Sequence, residues 1–592
     1  MSHFAFGPVI HERGVLFRLW APLQKNISLR IDDGPVLPMT TSDGGWRILD
    51  VEGARAGTRY RFVLEDGLEI PDPASRHQPE GLKGPSEVID PLHYLWRTPD
   101  WRARAWEETI LYELHVGTFT PEGTFRAAME KLAYLADLGV TMIELMPIGE
   151  FPGRWGWGYD GVLHYAPYSG YGAPDDLKAL VDEAHRLGVS VMLDVVYNHF
   201  GPDGNYMGLY APLFTERHHT PWGAGINYDD ADSKLVREYV IQNAIYWIDE
   251  FRLDGLRLDA VHAIDDTSEE HLLDELARRV RDAARDRNVH LVVENEHNDP
   301  SMLERTADSA PRTYTAQWND DIHHALHVAA TGETIGYYAD YQALPEGLGR
   351  SLTEGFIYQG QEMPYHGGSR GGVSTHLPAQ AFIAFIQNHD QIGNRAFGDR
   401  LAAIVEPDRL RAIAAIYLLS PQVPMLFMGE EWASTRPFPY FCDFDEDLNR
   451  KVRKGRAKEM VRLPGFEPEH ADEIPDPTSE ETFLSAKLDW EECTDDLAGN
   501  WLDFHKSLLA LRRDRIIPLL RQPCRTASYN NEGSRLDVVW TYGDARLALS
   551  ANLGALAVPA RDQTRGEVIW RSHLDSDGMR APWSIIWTIE EA

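Results

Sequence analysis

From residue 109 onward the chain alternates short apolar runs with longer amphipathic ones. The apolar runs cover residues 110–116, 142–148, 189–195, 255–259, 290–294, 314–318, 384–388 and 424–428. They are too short for helices and mostly apolar on both faces, which predicts buried parallel strands. Residues 175–187 between them are apolar at Leu177, Leu180, Val181, Ala184 and Leu187 and stop at Gly188, the pattern of a helix with one buried face. Residues 233–250 and 501–513 read the same way. Eight strand–helix units in a row predict an α/β fold with a closed (β/α)8 TIM barrel, enlarged by insertions. An open doubly wound sheet is the competing reading, but no Gly-rich phosphate fingerprint follows the first strand.

Upstream the rhythm differs. Residues 14–20, 27–31, 45–49 and 60–64 read as short alternating segments, separated by the turn formers Asp32-Asp-Gly34, Asp43-Gly-Gly45 and Glu65-Asp-Gly67. They predict a small immunoglobulin-like β-sandwich, followed by a Pro-rich connector over 70–99. After residue 516 helical periodicity stops, and runs 536–540 and 546–550 read as strands. A chain of 592 residues exceeds what one hydrophobic core serves. Three units are therefore expected: the N-terminal β-sandwich and connector over 1–100, the catalytic barrel over 101–514, and a C-terminal all-β domain over 515–592.

Ninety-two acidic against 57 basic side chains leave a net charge of −35. Such a surface repels nucleic acid and anionic membranes and suits a neutral partner such as a sugar. Cys442, Cys493 and Cys524 are too few and scattered for a disulfide framework or a zinc site. The sequence opens without a basic, apolar leader, and no run approaches the roughly 20 apolar residues of a membrane span. A soluble, cytoplasmic protein is expected, of open oligomeric state.

In a barrel the reacting groups belong at the C-terminal ends of the strands. The third run leads into Asp194-Val-Val-Tyr-Asn-His199. The fourth carries Arg257 and Asp259 within Gly255-Leu-Arg-Leu-Asp-Ala-Val-His262, the fifth, Leu291-Val-Val-Glu294, ends at Glu294, and the seventh runs into Asn388-His-Asp390. Arg257 and Asp259 share a strand face, and burying both is costly unless they pair or face a polar ligand. Taken singly, each Asp also fits a helix cap or loop anchor and each His a satisfied structural group, and Asp194 and Arg257 also fit a structural ion pair. Together they bring three carboxylates to one rim. Glycoside hydrolysis needs such a set: a nucleophile and an acid, about 5–5.5 Å apart in retaining enzymes, and a third group to steady the cationic transition state. Arg257 suits an ionised Asp259, whereas Glu294 as the acid requires partial burial or a negative neighbour. Asp194, Asn198 and His199 offer ligand atoms, yet no compact acidic loop or His-Glu-x-x-His spacing accompanies them, so no metal and no cofactor are expected.

In order and spacing these segments resemble the four motifs of glycoside hydrolase family thirteen, the α-amylase superfamily. The resemblance implies Asp259 as nucleophile, Glu294 as general acid and base, and Asp390 as transition-state stabiliser. It places Tyr159 (in Trp157-Gly-Tyr-Asp160), Asp194, His199, Arg257 and His389 around the attacked glucose. Glu294-Asn-Glu296-His297 offers two carboxylates where one is needed; the motif and the end of the apolar run favour Glu294, leaving Glu296 to contact substrate or a neighbouring loop. Phe17-Arg-Leu-Trp-Ala-Pro22 and Leu111-Tyr-Glu-Leu-His-Val-Gly117 are similar to the branching, debranching and trehalose-releasing group. Gly201-Pro-Asp-Gly-Asn-Tyr206, Pro221-Trp-Gly-Ala-Gly-Ile-Asn-Tyr228, Val452-Arg-Lys-Gly-Arg456 and Ser485-Ala-Lys-Leu-Asp-Trp490 are similar to its trehalose-releasing hydrolases. That likeness implies cleavage of the α-1,4 bond next to the terminal trehalose of maltooligosyltrehalose, with related α-glucans as further ligands. The alternatives are a glycogen branching or debranching enzyme and, in a different class, a non-catalytic carbohydrate-binding protein on the same barrel. The three carboxylates speak against the last.

Overall fold

The computed structural model describes residues 4–220, 223–342, 346–460, 466, 473–560, 565–573 and 578–591; Pro221 and Trp222, singled out in the sequence, lie outside them. Two antiparallel sheets come first. One pairs Val9–His11, Gly14–Trp20, Trp46–Glu52 and Thr40–Thr41; the other pairs Val36–Pro38, Ser28–Ile31, Arg59–Val63 and Glu69–Ile70. Alternation buries Val15, Phe17 and Leu19, and Phe17 meets Tyr60 of the other sheet with ring centroids 4.7 Å apart, so the expected sandwich forms. The connector fastens it to the barrel: Tyr239 donates to the Pro73 carbonyl at 2.6 Å, and the Arg76 guanidinium lies 4.5 and 4.3 Å from the Tyr165 and Tyr246 ring centroids.

A closed barrel of eight parallel strands follows: Leu111–Leu114, Met142–Leu145, Ser190–Val195, Gly255–Leu258, His290–Val293, Ala316–Trp318, Phe382–Ala384 and Val423–Phe427. The seventh is displaced from the expected 384–388. Beyond Ala384 the chain leaves the ladder because Asn388 caps the short helix His389–Gly393, its side chain accepting from the Gln391 amide at 2.8 Å. Outer helices include Pro174–Arg186 and Ser233–Asp249, within a residue of their predicted bounds. The helix expected over 501–513 begins earlier, at Asp496, and runs from Leu511 into a wider π turn, Arg512–Ile516. Buried Arg512 explains why the backbone holds there: it donates to the carbonyls of Leu418, Ser420 and Gln422 at 2.9, 2.6 and 2.6 Å.

Inside the barrel, Leu111, Met142, Met192, Val292, Ala316, Trp318, Ile383, Phe385, Val423 and Met425 pack into one apolar plug. It fills the lower interior, so the barrel is a core and not a channel. The C-terminal sheet orders Cys524–Glu532, Arg535–Tyr542, Ala545–Asn552, Ser584–Glu590 and Glu567–Arg571. Trp540 and Trp587 from this sheet stack with centroids 5.7 Å apart. Their indole N–H groups donate to the carbonyls of Leu352 and Ala415 on two barrel helices, Gly347–Glu354 and Pro407–Leu419. Among the described residues no helix is long and apolar enough to cross a membrane.

Candidate active site

Strand alternation builds the site from the plug upward. Two residues beyond Leu111, Met142, Met192 and Val292, on the same inward face, stand Glu113, Glu144, Asp194 and Glu294; the fourth strand adds Arg257 and then Asp259. Parallel register sets Glu113 beside Glu144 and Asp194 beside Arg257.

Arg257 is the hub. Its Nη1 donates to Asp194 Oδ2 at 2.6 Å and to Asp259 Oδ1 at 2.9 Å, and its Nη2 donates to Glu294 Oε2 at 2.8 Å. The guanidinium itself is buried, 4.2 Å from the Trp318 ring centroid. Asp259 also accepts from Asn198 Nδ2 at 2.8 Å, and that amide reaches the Asp259 carbonyl as well. Glu294 Oε2 takes a further bond from the Ala260 amide at 2.9 Å. The partial burial expected for Glu294 is present, its side chain being 19 % exposed, but one of its oxygens faces Arg257, a cation that sequence reasoning paired with Asp259 or Asp194 and not with Glu294.

Asp194 is covered by Tyr159, whose hydroxyl donates to its Oδ2 at 2.6 Å. Burial pushes the Asp194 carboxyl up to about 7, and the Asp259 charge adds to this while Arg257 opposes it. The Tyr159 ring stacks on His389 with centroids 5.1 Å apart. His199 lies with Nε2 at 3.0 Å from the Tyr159 carbonyl and Nδ1 against Asn198 Oδ1, and burial lowers it to about 4. Asp390 stands in the first turn of the capped helix, its side chain 41 % exposed and its Oδ1 3.8 Å from His389 Nε2. Contacts thus link the sequence-predicted residues Tyr159, Asp194, His199, Arg257, Asp259, Glu294, His389 and Asp390 into one cluster at the strand ends. Glu296 does not join them: it is 56 % exposed and lies 3.6 Å from His262 Nε2 and 3.9 Å from His366 Nδ1. Asp194, Asn198 and His199 spend their bonds on protein partners, and among the described residues no group of three or more His, Cys, Asp or Glu is placed to hold a metal.

Three acids escaped sequence reasoning. Glu113 binds His389 with both carboxylate oxygens, Nδ1 at 2.5 Å and the backbone amide at 3.1 Å. Burial alone would lower His389, but the charges of Glu113 and Asp390 outweigh it and raise the ring to about 9. Glu144 is buried with neither oxygen hydrogen-bonded; burial, then the charges of Asp194 and Glu113, push its carboxyl well above the usual range. Asp320, half-buried at the end of the sixth strand, is raised to about 8 by burial and by Glu294. The i, i+2 step that exposed Arg257 and Asp259 also links Leu111 to Glu113 and Met142 to Glu144, so that signal was present. Arg456, in one of the quoted stretches, reaches the same rim, with Nη1 3.2 Å from Asn394 Oδ1 and Nη2 on the Gly393 carbonyl.

Carboxylates from three consecutive strand ends thus meet one buried arginine at the rim of a closed parallel barrel. The family described as alpha amylase, catalytic domain, matches residues 91–209. Two curated proteins called malto-oligosyltrehalose trehalohydrolase are similar over most of the chain: that of Saccharolobus solfataricus is 43 % identical over 86 % of this chain and 87 % of its own, and that of Deinococcus radiodurans 42 % identical over 92 % and 89 %. A crystal structure of a candidate alpha amylase from Salmonella typhimurium superposes with a TM-score of 0.94 at 46 % identity, covering 100 % of both chains. The chain belongs to the malto-oligosyltrehalose trehalohydrolase family.

Proposed function

We propose that this chain is a retaining hydrolase that cleaves the α-1,4 bond next to the terminal trehalose of maltooligosyltrehalose, releasing trehalose and a shortened maltooligosaccharide. The observation that carries the chemistry is the single buried guanidinium bound to carboxylates of three consecutive strands. Groups sharing one cation stand side by side, which suits a nucleophile and an acid acting in turn on one bond. Asp259, aligned by Arg257 and Asn198, attacks the anomeric carbon. Glu294 protonates the leaving oxygen and then activates water, and Asp390 faces the developing positive charge. Tyr159, Asp194, His199 and His389 hold the attacked glucose. The division into residues 1–100, 101–514 and 515–592 is part of the same proposal: the flanking β-units frame the barrel, and the chemistry belongs to the middle one.

Family membership supports the substrate. A bent, non-reducing disaccharide presents hydroxyls that a maltosyl end does not, and polar groups built for them are left unpaired by the wrong ligand. Purified protein is expected to turn over maltotetraosyltrehalose with kcat/KM at least on the order of tenfold above that for maltohexaose. Free trehalose should dominate the early products, and the new reducing end should appear first as the α-anomer by proton NMR. Branched glucan formed from amylose instead would replace this reading with a transferase, and an initial β-anomer would rule out the double displacement.

A further inference from the structure

His389 is fixed from every side, and the charged contact comes from below. Tyr159 stacks on it, while Trp157 and Trp318 lie 5.3 and 5.9 Å away, centroid to centroid. Charged or titratable groups face it from several elements: Glu113 of the first strand and His115 just beyond that strand, Glu144 of the second, Arg257 of the fourth and Asp390 of its own segment. Among the described residues only Glu113 bonds to the ring, and it spends both oxygens on this one residue. Because a carboxylate only accepts, Nδ1 must carry a proton. A neutral ring would then present Nε2 as an acceptor. A doubly protonated ring presents it as a donor, and Nε2 is the atom that points past Asp390 Oδ1 at 3.8 Å.

We propose that Glu113 is a positioning residue for the hydrolysis: it keeps His389 doubly protonated, so that Nε2 offers an N–H to the bound sugar and to Asp390, and its second oxygen fixes the backbone from which Asp390 is delivered. The layer's charges agree. Glu144 beside it is buried with its carboxyl pushed well above the usual range, and Arg257 is engaged with Asp194, Asp259 and Glu294. An imidazolium paired to Glu113 completes the balance.

This inference rests on the hydrolase reading, and the experiment separates the two. Wild type, Glu113→Gln, Glu113→Asp and Asp259→Asn are compared for kcat and KM on maltotetraosyltrehalose between pH 5 and 10, with melting temperatures recorded for each. Because turnover also needs the Glu294 proton, the limb is read in 1/KM: wild-type affinity is expected to fall on an alkaline limb near the His389 value of about 9, because the donor form is lost above it. Removing the negative charge lets burial prevail, so in Glu113→Gln the limb moves to lower pH by at least about one unit, with kcat reduced on the order of tenfold or more at pH 8. Glu113→Asp, which keeps the charge, restores the limb. A purely structural Glu113 would lower the melting temperature and leave the limb in place, which overturns the proposal. Should Glu113→Gln fail to fold, a wild-type 1/KM profile without a limb between pH 8 and 10 overturns it equally. Turnover by Asp259→Asn would instead sink the underlying reaction, whatever Glu113 does.

Discussion

The lower and upper halves of the barrel interior are made by the same strands, one alternation step apart, about 6.6 Å along each. Below, Leu111, Met142, Met192 and Val292 join the apolar plug; above, Glu113, Glu144, Asp194 and Glu294 take their places on the same face. The lower layer gains from burial and has no polar atoms to satisfy. The upper layer carries the opposite balance: Asp194 Oδ1 and both Glu144 oxygens are buried without a hydrogen bond, and polar atoms buried in that way cost stability. One fold element thus supplies stability at one height and reactivity at the next.

The largest test of that contrast is Asp259→Asn. Turnover should fall on the order of 10⁴-fold or more, since the amide is a far weaker nucleophile, while circular dichroism and sugar binding stay close to wild type. Residual activity near wild type, in protein free of contaminating enzyme, would move the chemistry elsewhere. Next comes the pair of nearby glutamates. Glu294→Gln should reduce kcat by roughly 10²–10⁴-fold, whereas Glu296→Gln, exposed and beside His262 and His366, should alter KM by a small factor. An inactive Glu296→Gln with an active Glu294→Gln would exchange their roles.

The lower layer should answer in the other currency. Met192→Ala leaves a void in the plug and is expected to cost about 2–5 kcal/mol, visible as a lower denaturant midpoint, with kcat of the folded fraction little changed. A variant of unchanged stability and lost activity would mean that the two layers are not separable. The smallest effect concerns Asp194. Its carboxyl is raised to about 7 in the fold against an unfolded value near 3.9, so the folded state binds the proton more tightly. The resulting stability is fully present below about pH 4 and is lost as pH rises through about 7. Asp194→Asn does not titrate. The melting-temperature difference, wild type minus variant, should therefore shrink from pH 5 to pH 8, and a difference that grows would reverse the sign of the shift.

Much of this was legible because strand runs and motif order are local properties. Arg257 and Asp259 announce themselves as two polar residues in an apolar run, and Gly188 marks the end of a helix. The parts that were not legible depend on what lies across the barrel. The i, i+2 step puts Glu113 and Glu144 on the inward face, but each appears singly between apolar neighbours and nothing local says what it meets there. Only closure of the barrel shows that Glu113 meets a histidine about 276 positions later. Likewise Arg257 could be paired with its strand neighbour Asp259 from spacing, and an ion pair with Asp194 was among the readings, but its reach to Glu294 follows from the parallel register. The seventh strand was misplaced because Phe385 and Ile386 are as apolar as a strand requires, and a cap at Asn388 decides where pairing stops.

The seam of Trp540 and Trp587 bears on the order of events during synthesis. Their indoles close over carbonyls of two helices, Gly347–Glu354 and Pro407–Leu419, that the ribosome makes long before Ser584–Glu590. A nascent chain can thus close its barrel while those helices still lack their outer cover. Domains generally fold as they emerge, N-terminal units first, and exposed apolar surface invites association with other chains in the interval. The vulnerable period ends only when the last strand of the C-terminal sheet leaves the ribosome.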